Sequence, residues 1–349
     1  MNFRRLWAIF TARNHEFFRD RSAFGWNFLF PFLIIAGFGI IFGDKAQNQY
    51  KVGVFPVETE QIVTGNTGIP EPFRQTRYIE FIGFPNLDTA LEKLKHHKID
   101  FLIRAQSPTH QYWVSDSSPK GYVVEKLFKA SLAPPTGKET GERLEIHGTE
   151  IRYLDWLFPG ILGMNMMFSA LWGVGFIVVR YRKNGVLKRL HATPLTALEY
   201  LSAQMLSRIF ILAFTLAVVW VGCDLLFSFT VQGSYLHLAL VYFTGGLSLC
   251  SLGLLLASRG TSEEFTSGVV NFICWPMMFL SEVWFSLEGA PEWVRIFSKI
   301  FPLTHLISAA RKVMNDGASL AQISGELTIL VVAAAIFLSL GAWLFSWND

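Results

Sequence analysis

Glu282 is the residue best suited by type to do chemistry in an apolar setting. Ser267, Asn271, Cys274 or Trp275, Met278 and Glu282 recur at helical spacing and step down one face of an apolar stretch. A carboxylate inside a membrane is a candidate pathway or ion-coupling group; at the membrane boundary it is hydrated or paired, here with His305, Arg311 or Lys299. A second stripe, Asn165, Phe168, Ser169 and Trp172, mixes polar and aromatic side chains at the same spacing. Polar groups in hydrocarbon are costly unless they face a partner or a cavity. This stripe therefore faces the protein interior, as a substrate path or as a helix contact.

Residues 180–204, RYRKNGVLKRLHATPLTALEYLSAQ, carry a different resource, positive charge. Arg180, Arg182, Lys183, Lys188 and Arg189, with Arg208 just beyond, face a single acid, Glu199. Short loops rich in Lys and Arg stay on the cytoplasmic side of a membrane, so this segment fixes the topology. Its grammar is helix, break, helix. Gly185 precedes a short run in which Val186, Leu187 and Leu190 make an apolar edge, and His191 closes it. Pro194 biases Thr193 away from helix. Thr196 with Glu199 then reads as a capping box that starts the next helix. A short helix lying across the inner ends of two spans is a surface on which something cytosolic can push.

Recognised catalytic chemistry is missing from the sequence. There is no G-x-x-x-x-G-K-[ST], and Gly137-Lys138-Glu139-Thr140 lacks the glycine-rich lead and strand context for cradling phosphate. Neither G-x-S-x-G, H-E-x-x-H nor Cys-x-x-Cys occurs. Cys223, Cys250 and Cys274 all fall within apolar runs. His96 and His97 are adjacent on a helix and diverge, so they read as a surface pair rather than metal ligands.

The elements that position these residues follow from composition. Of 349 residues, 51% are hydrophobic and 16% charged, against about a quarter charged in a soluble domain. A membrane helix needs roughly 20 mostly apolar residues. Six runs qualify: 24–43, 157–179, 205–229, 236–258, 268–287 and 327–346. The net charge of +3 gathers at the inner ends and reads as topology, not nucleic-acid affinity. Residues 1–23 mix Phe3, Leu6, Trp7, Phe10, Phe17 and Phe18 with arginines, which suits a helix lying in the inner membrane interface. The first run is too long for a signal peptide and lacks a cleavage site, so it is read as an uncleaved anchor with the N terminus inside. By alternation, the polar insert 44–155 lies outside and the C terminus inside. Within the insert, 51–55, 78–82, 99–104 and 112–115 read as strands, 87–96 and 121–130 as helices, and 133–142 as loop. The expected fold is a mainly α-helical polytopic membrane protein with a small α/β extracytoplasmic domain.

The segment G-V-L-K-R-L-x-x-T-P-L, followed by L-E-Y-L, resembles the stretch after the second span of ABC-2 type transporter permeases, the membrane half of ABC exporters. Lys183, Val186 and Lys188 depart from the acids or hydroxyl that many members carry there. A second block, within 156–349, is also similar to that family: Asn271, Pro276-Met277, Phe279-Leu280-Ser281, Pro291-Glu292-Trp293, Pro302-Leu303-Thr304 and Arg311 match. Glu282 stands where members usually have a small residue.

The resemblance implies that the 181–200 element is a coupling helix touching an ATPase carried on another polypeptide. Gly185, Leu187, Lys188, Arg189, Leu190, His191, Thr193, Pro194 and Glu199 would form that contact. It further implies that 288–318 holds short external helices that dip back into the membrane, and that two permease copies work with two ATPase subunits. ATP and Mg would sit on the ATPase, with no cofactor bound by this chain. The expected location is the bacterial cytoplasmic (inner) membrane, among membrane lipid, with a periplasmic adaptor as a further partner of the external domain. Aromatic and Met residues in spans two and five favour an amphipathic or hydrophobic substrate, a drug or lipid-like molecule. An ion-coupled transporter using Glu282 is the alternative, but no inverted repeat relates the halves. A membrane receptor would need a cytoplasmic signalling domain, which the sequence does not contain.

Overall fold

The computed structural model describes residues 2–42, 50–57, 68–105, 111–132, 152–260 and 262–347. The chain divides into two compact units, one of Met1–Gly43 with Thr149–Asp349, the other of Asp44–Gly148. The loop-like 133–142 stretch, including Gly137 to Thr140, lies outside the described residues.

The smaller unit is built on a four-stranded sheet in the order β2-β1-β3-β4. Strand β1 (Tyr50–Phe55) runs parallel to β2 (Ile79–Gly83) and to β3 (Phe101–Arg104), and β4 (Tyr112–Val114) is antiparallel to β3. A central parallel strand is covered on both faces, which explains the nearly continuous apolar run of β1. Val52, Val54, Phe101 and Ile103 point to one face, where Phe128 and Phe73 cover them. Phe55 and Leu102 point to the other, beneath Ala90 and Leu94. The covering helices are α3 (Glu71–Arg74) and α5 (Pro119–Leu132) on the first face and α4 (Leu87–Lys95) on the second. The strands and longer helices fall within two or three residues of their expected positions; α3 was not anticipated.

The larger unit is helical. Helix α1 (Phe3–Arg19) and helix α2 (Arg21–Phe42) meet at Asp20, and their axes bend by 60°. Helix α6 (Tyr153–Ala170) continues through a π-helical turn, Leu171–Phe176, into α7 (Ile177–Lys183). Then come α8 (Val186–His191), α9 (Ala197–Phe227), α10 (Tyr235–Ala257), α11 (Glu263–Leu280), α12 (Glu292–Ser298), α13 (Pro302–Asp316) and α14 (Ser324–Leu344). Helix α10 is central, packing on α14, the π turn and α13. Close approach there depends on small residues: a side chain at Gly253 would meet Ala170 O at 3.1 Å and Gly175 N at 3.4 Å.

Among the described residues, four helices (Tyr153–Lys183, Ala197–Phe227, Tyr235–Ala257 and Ser324–Leu344) are long and apolar enough to cross a membrane, or five if the bent α1–α2 pair is one span; the expected six are not all confirmed. Helix α11 is not among them: its 18 residues begin with Glu263 and Glu264 and include Asn271 and Pro276. The helix also ends at Leu280 rather than 287. Glu282, with φ of 57°, lies beyond it and does not continue its stripe.

Candidate coupling and pathway sites

The 180–204 segment folds as a break between two helices. Helix α7 stops at Asn184, and Gly185 turns the chain with φ of 69°, a left-handed conformation that costs glycine nothing. On α8, Leu187 is fully buried and Val186 and Leu190 are half-buried, which makes the expected apolar edge. Lys188, Arg189, His191, Thr193 and Pro194 are exposed. The capping box is present: Thr196 Oγ1 accepts from Glu199 N at 3.3 Å, and Glu199 Oε2 from Thr196 N at 3.1 Å. It satisfies two amides that would otherwise be unpaired at the start of α9.

Contacts from both ends of the chain converge on this segment. From α1, the Asn2 amide donates to Glu199 Oε1 at 2.6 Å, and Arg5 donates to the Pro194 carbonyl. Deeper along α1, Asn14 accepts from Ser207 Oγ at 2.8 Å, and Arg13 donates to the Tyr181 hydroxyl. From the C-terminal side, Trp347 stacks on His191 with ring centroids 5.2 Å apart. Arg182, buried, donates to the Ala257 carbonyl at 3.1 Å, to Ser258 and Ser346 at 3.0 Å each, and to Gly260. It thus caps the C-terminus of α10, where carbonyls lack helical partners and a cation is favoured. Lys183 faces Glu263 at 3.8 Å and Glu264 at 3.6 Å. The backbone amide of Glu264, then Ser262 and Lys183, hold the Glu264 carboxyl below the usual carboxylate range. Asn2 and Trp347 were not singled out in the sequence, and Arg5, Arg13 and Arg182 were read only as interfacial or topology-setting charge.

The pathway candidates separate in space. Asn165 is buried, with Nδ2 3.4 Å from the Asn27 carbonyl. Ser169 is buried and its hydroxyl accepts from Arg208 Nη2 at 2.5 Å. Phe168 and Trp172 are half-buried against the same core. Helix α11 packs on the π turn, but its candidates diverge: Met278 is buried, Asn271 half-buried, and Trp275 is 53% exposed. Glu282 belongs to a separate polar cluster. Its Oε2 lies 3.5 Å from Arg311 Nη1, and its Oε1 accepts from Leu287 N at 2.8 Å. Arg311 also donates to the Glu282 carbonyl at 2.6 Å and the Trp156 carbonyl at 3.0 Å, and lies over the Trp156 ring. Among the described residues, no group of three or more His, Cys, Asp or Glu could hold a metal ion.

The sequence is similar to a probable multidrug ABC transporter permease, YbhR, of Escherichia coli K12, at 26% identity over 61% of the chain and 58% of the relative. It is also similar to the daunorubicin resistance permease protein DrrB1 of Streptomyces coeruleorubidus, at 23% identity over 53% of the chain and 66% of that protein. The match thus spans less than two thirds of the length of either relative. The sequence model described as ABC-2 family transporter protein matches residues 21–343. With nearly the whole helical unit and the insert inside that match, the chain belongs to the ABC-2 transporter family.

Proposed function

We propose that this chain is the transmembrane permease subunit of an ATP-driven exporter. The observation that carries the reading is the segment at 185–199. It is a short helix anchored by Leu187, presenting Lys188, Arg189, His191, Thr193 and Pro194 outward, and joined by a capping box to a long apolar helix. Such an element transmits force, because a push on its exposed face moves α9 as a rigid body. The force comes from a separate ATPase subunit that holds ATP and Mg. ATP-bound and ATP-free forms of that subunit favour different packings of spans two and five, and this differential affinity shifts the permease between inward- and outward-facing states.

A closed two-fold pair of permeases is the economical way to enclose a path. The outward aromatic face of α11, with Phe272, Trp275 and Phe279 exposed, supports a role for this helix in the pairing or the path. The names of the relatives, one a multidrug and one a daunorubicin resistance permease, support an amphipathic or hydrophobic cargo. The setting is the bacterial inner membrane, with both termini cytoplasmic and the α/β unit outside, where it can meet a periplasmic adaptor. Glu282 lies beyond the end of α11, beside Arg311 and apart from the other pathway candidates, which supports an ATP-driven over an ion-coupled mechanism.

Co-purification from native membranes tests this. A nucleotide-binding subunit in one-to-one ratio is expected, with its ATP hydrolysis uncoupled from transport when Leu190 and Pro194 are replaced. A clean homo-oligomer without ATPase activity would sink the reading.

A further inference from the structure

A groove of about 550 Å³ runs between α9 and α10, with Met166 of α6 reaching its floor. Its walls are α9 and α10, and none of the pathway candidates of spans two and five lines it. Small residues carve it: Ala213 and Ala217, one turn apart on α9, and Ala239 and Gly246 on the facing helix. A side chain at Gly246 would press within 3.1 Å of Met166. Leu212, Leu216 and Leu238 make much of the wall. Only 28% of the apolar window of α9 is buried, so its outer side is bathed by hydrocarbon.

The dimensions select the occupant. One end is marked by Tyr235, 63% exposed at the start of α10, and by Trp220, whose ring lies 6.3 Å away. Such amphipathic rings sit at the membrane–water interface. From Tyr235 to Gly246 the groove runs about 17 Å at 1.5 Å per residue, or about half of a ~30 Å hydrocarbon core. It therefore starts at one interface and stops near the bilayer midplane, as a lipid tail of one leaflet does. Spread over that length, the volume makes a slender slot that takes one polymethylene chain, with less room than a whole helix of about 10–12 Å needs.

We propose that the α9–α10 groove is a site for one acyl chain of a membrane phospholipid, taken from the leaflet opposite the coupling segment. The seated chain fills the gap between a helix that starts at the capping box and the central helix α10, so that α9 moves with α10 rather than sliding past it. The assignment goes beyond the exporter reading and stands on the groove alone.

The test uses the full chain, with any bound ATPase, in vesicles of phosphatidylethanolamine and phosphatidylglycerol doped with phosphatidylethanolamine carrying a diazirine midway along one acyl chain. After photolysis, adducts are mapped by mass spectrometry. They are expected to concentrate on 209–220 and 235–246, about tenfold above α14, which is also lipid-facing. Ala213→Phe with Ala217→Phe fills the groove from its open side and should lower that yield about tenfold. Val221→Phe, at an exposed position outside the groove, should not. Ala239→Phe on the opposite wall gives the same reading if the double variant does not fold. Adducts spread evenly over α9, α10 and α14 would overturn the proposal, as would undiminished labelling of the filled variants. Displacement of the lipid by a transported hydrophobic solute would also overturn it and mark the groove as a cargo site.

Discussion

Removing the Arg182 guanidinium takes a donor from four carbonyls, those of Ala257, Ser258, Gly260 and Ser346, of which Ala257 and Ser258 are buried. An uncompensated buried polar group costs more than a made hydrogen bond gains. Arg182→Met is therefore expected to lower stability by ~3 kcal/mol, read as a clear drop in the detergent melting temperature. Arg182→Lys should recover only part, because an ammonium cannot fork across several acceptors. Arg180→Met, at an exposed position two residues away, serves as the control and should change little. The Glu282–Arg311 pair behaves asymmetrically for a related reason. The carboxylate lies 3.5 Å away and is one-third exposed, so Glu282→Gln should cost under ~1 kcal/mol and leave transport intact. Arg311→Met removes the donor to two carbonyls as well and should cost several-fold more. Loss of transport in Glu282→Gln with assembly and ATP hydrolysis preserved would instead give the carboxylate a pathway role.

At the level of elements, the coupling segment depends on one backbone conformation. Gly185 sits at φ of 69°, and a branched residue there costs roughly 1–2 kcal/mol and re-aims α8. Gly185→Val is expected to leave the permease folded but to weaken ATPase binding, measured as loss of the subunit on co-purification. Unchanged binding and transport would mean that the direction of α8 does not matter. This segment was largely legible in the sequence because its signals are local: the glycine, the apolar edge, Pro194 and the Thr196–Glu199 box act within a few residues of one another. Its supports were not legible, because Arg5 reaches Pro194 across 189 positions and Arg182 reaches Ser346 across 164. The end of α11 was misread for the same reason. Its apolar residues continue past Leu280, yet the turn at Glu282 is held by Arg311 from another helix, and periodicity carries no trace of that. The π turn in span two likewise has no sequence signal beyond Gly173 and Gly175.

The whole chain divides where its solvent changes. The helical unit is apolar on its outside as well as its inside: Leu225, Leu236, Phe272 and Trp343 are all more than two-thirds exposed, which suits hydrocarbon and not water. The unit of Asp44–Gly148 follows the opposite rule, with two apolar clusters enclosed on the faces of its sheet. Its central strand is covered on both sides, and all three strand pairings join strands of the unit itself. A unit with its own closed core does not need the bilayer to fold. Residues 44–148 expressed alone are thus expected to be soluble and monomeric and to unfold in one cooperative step, followed by circular dichroism in urea. A gradual, non-cooperative loss of signal would mean that the sheet depends on the helical unit. The complementary experiment replaces 44–148 by a short flexible linker in the full chain. If the insert serves an external partner, the shortened permease should still bind its ATPase and retain ATP hydrolysis, while transport that relies on that partner fails. Loss of ATPase binding would instead make the insert part of the permease's own architecture, and the division of labour between the two units would have to be abandoned.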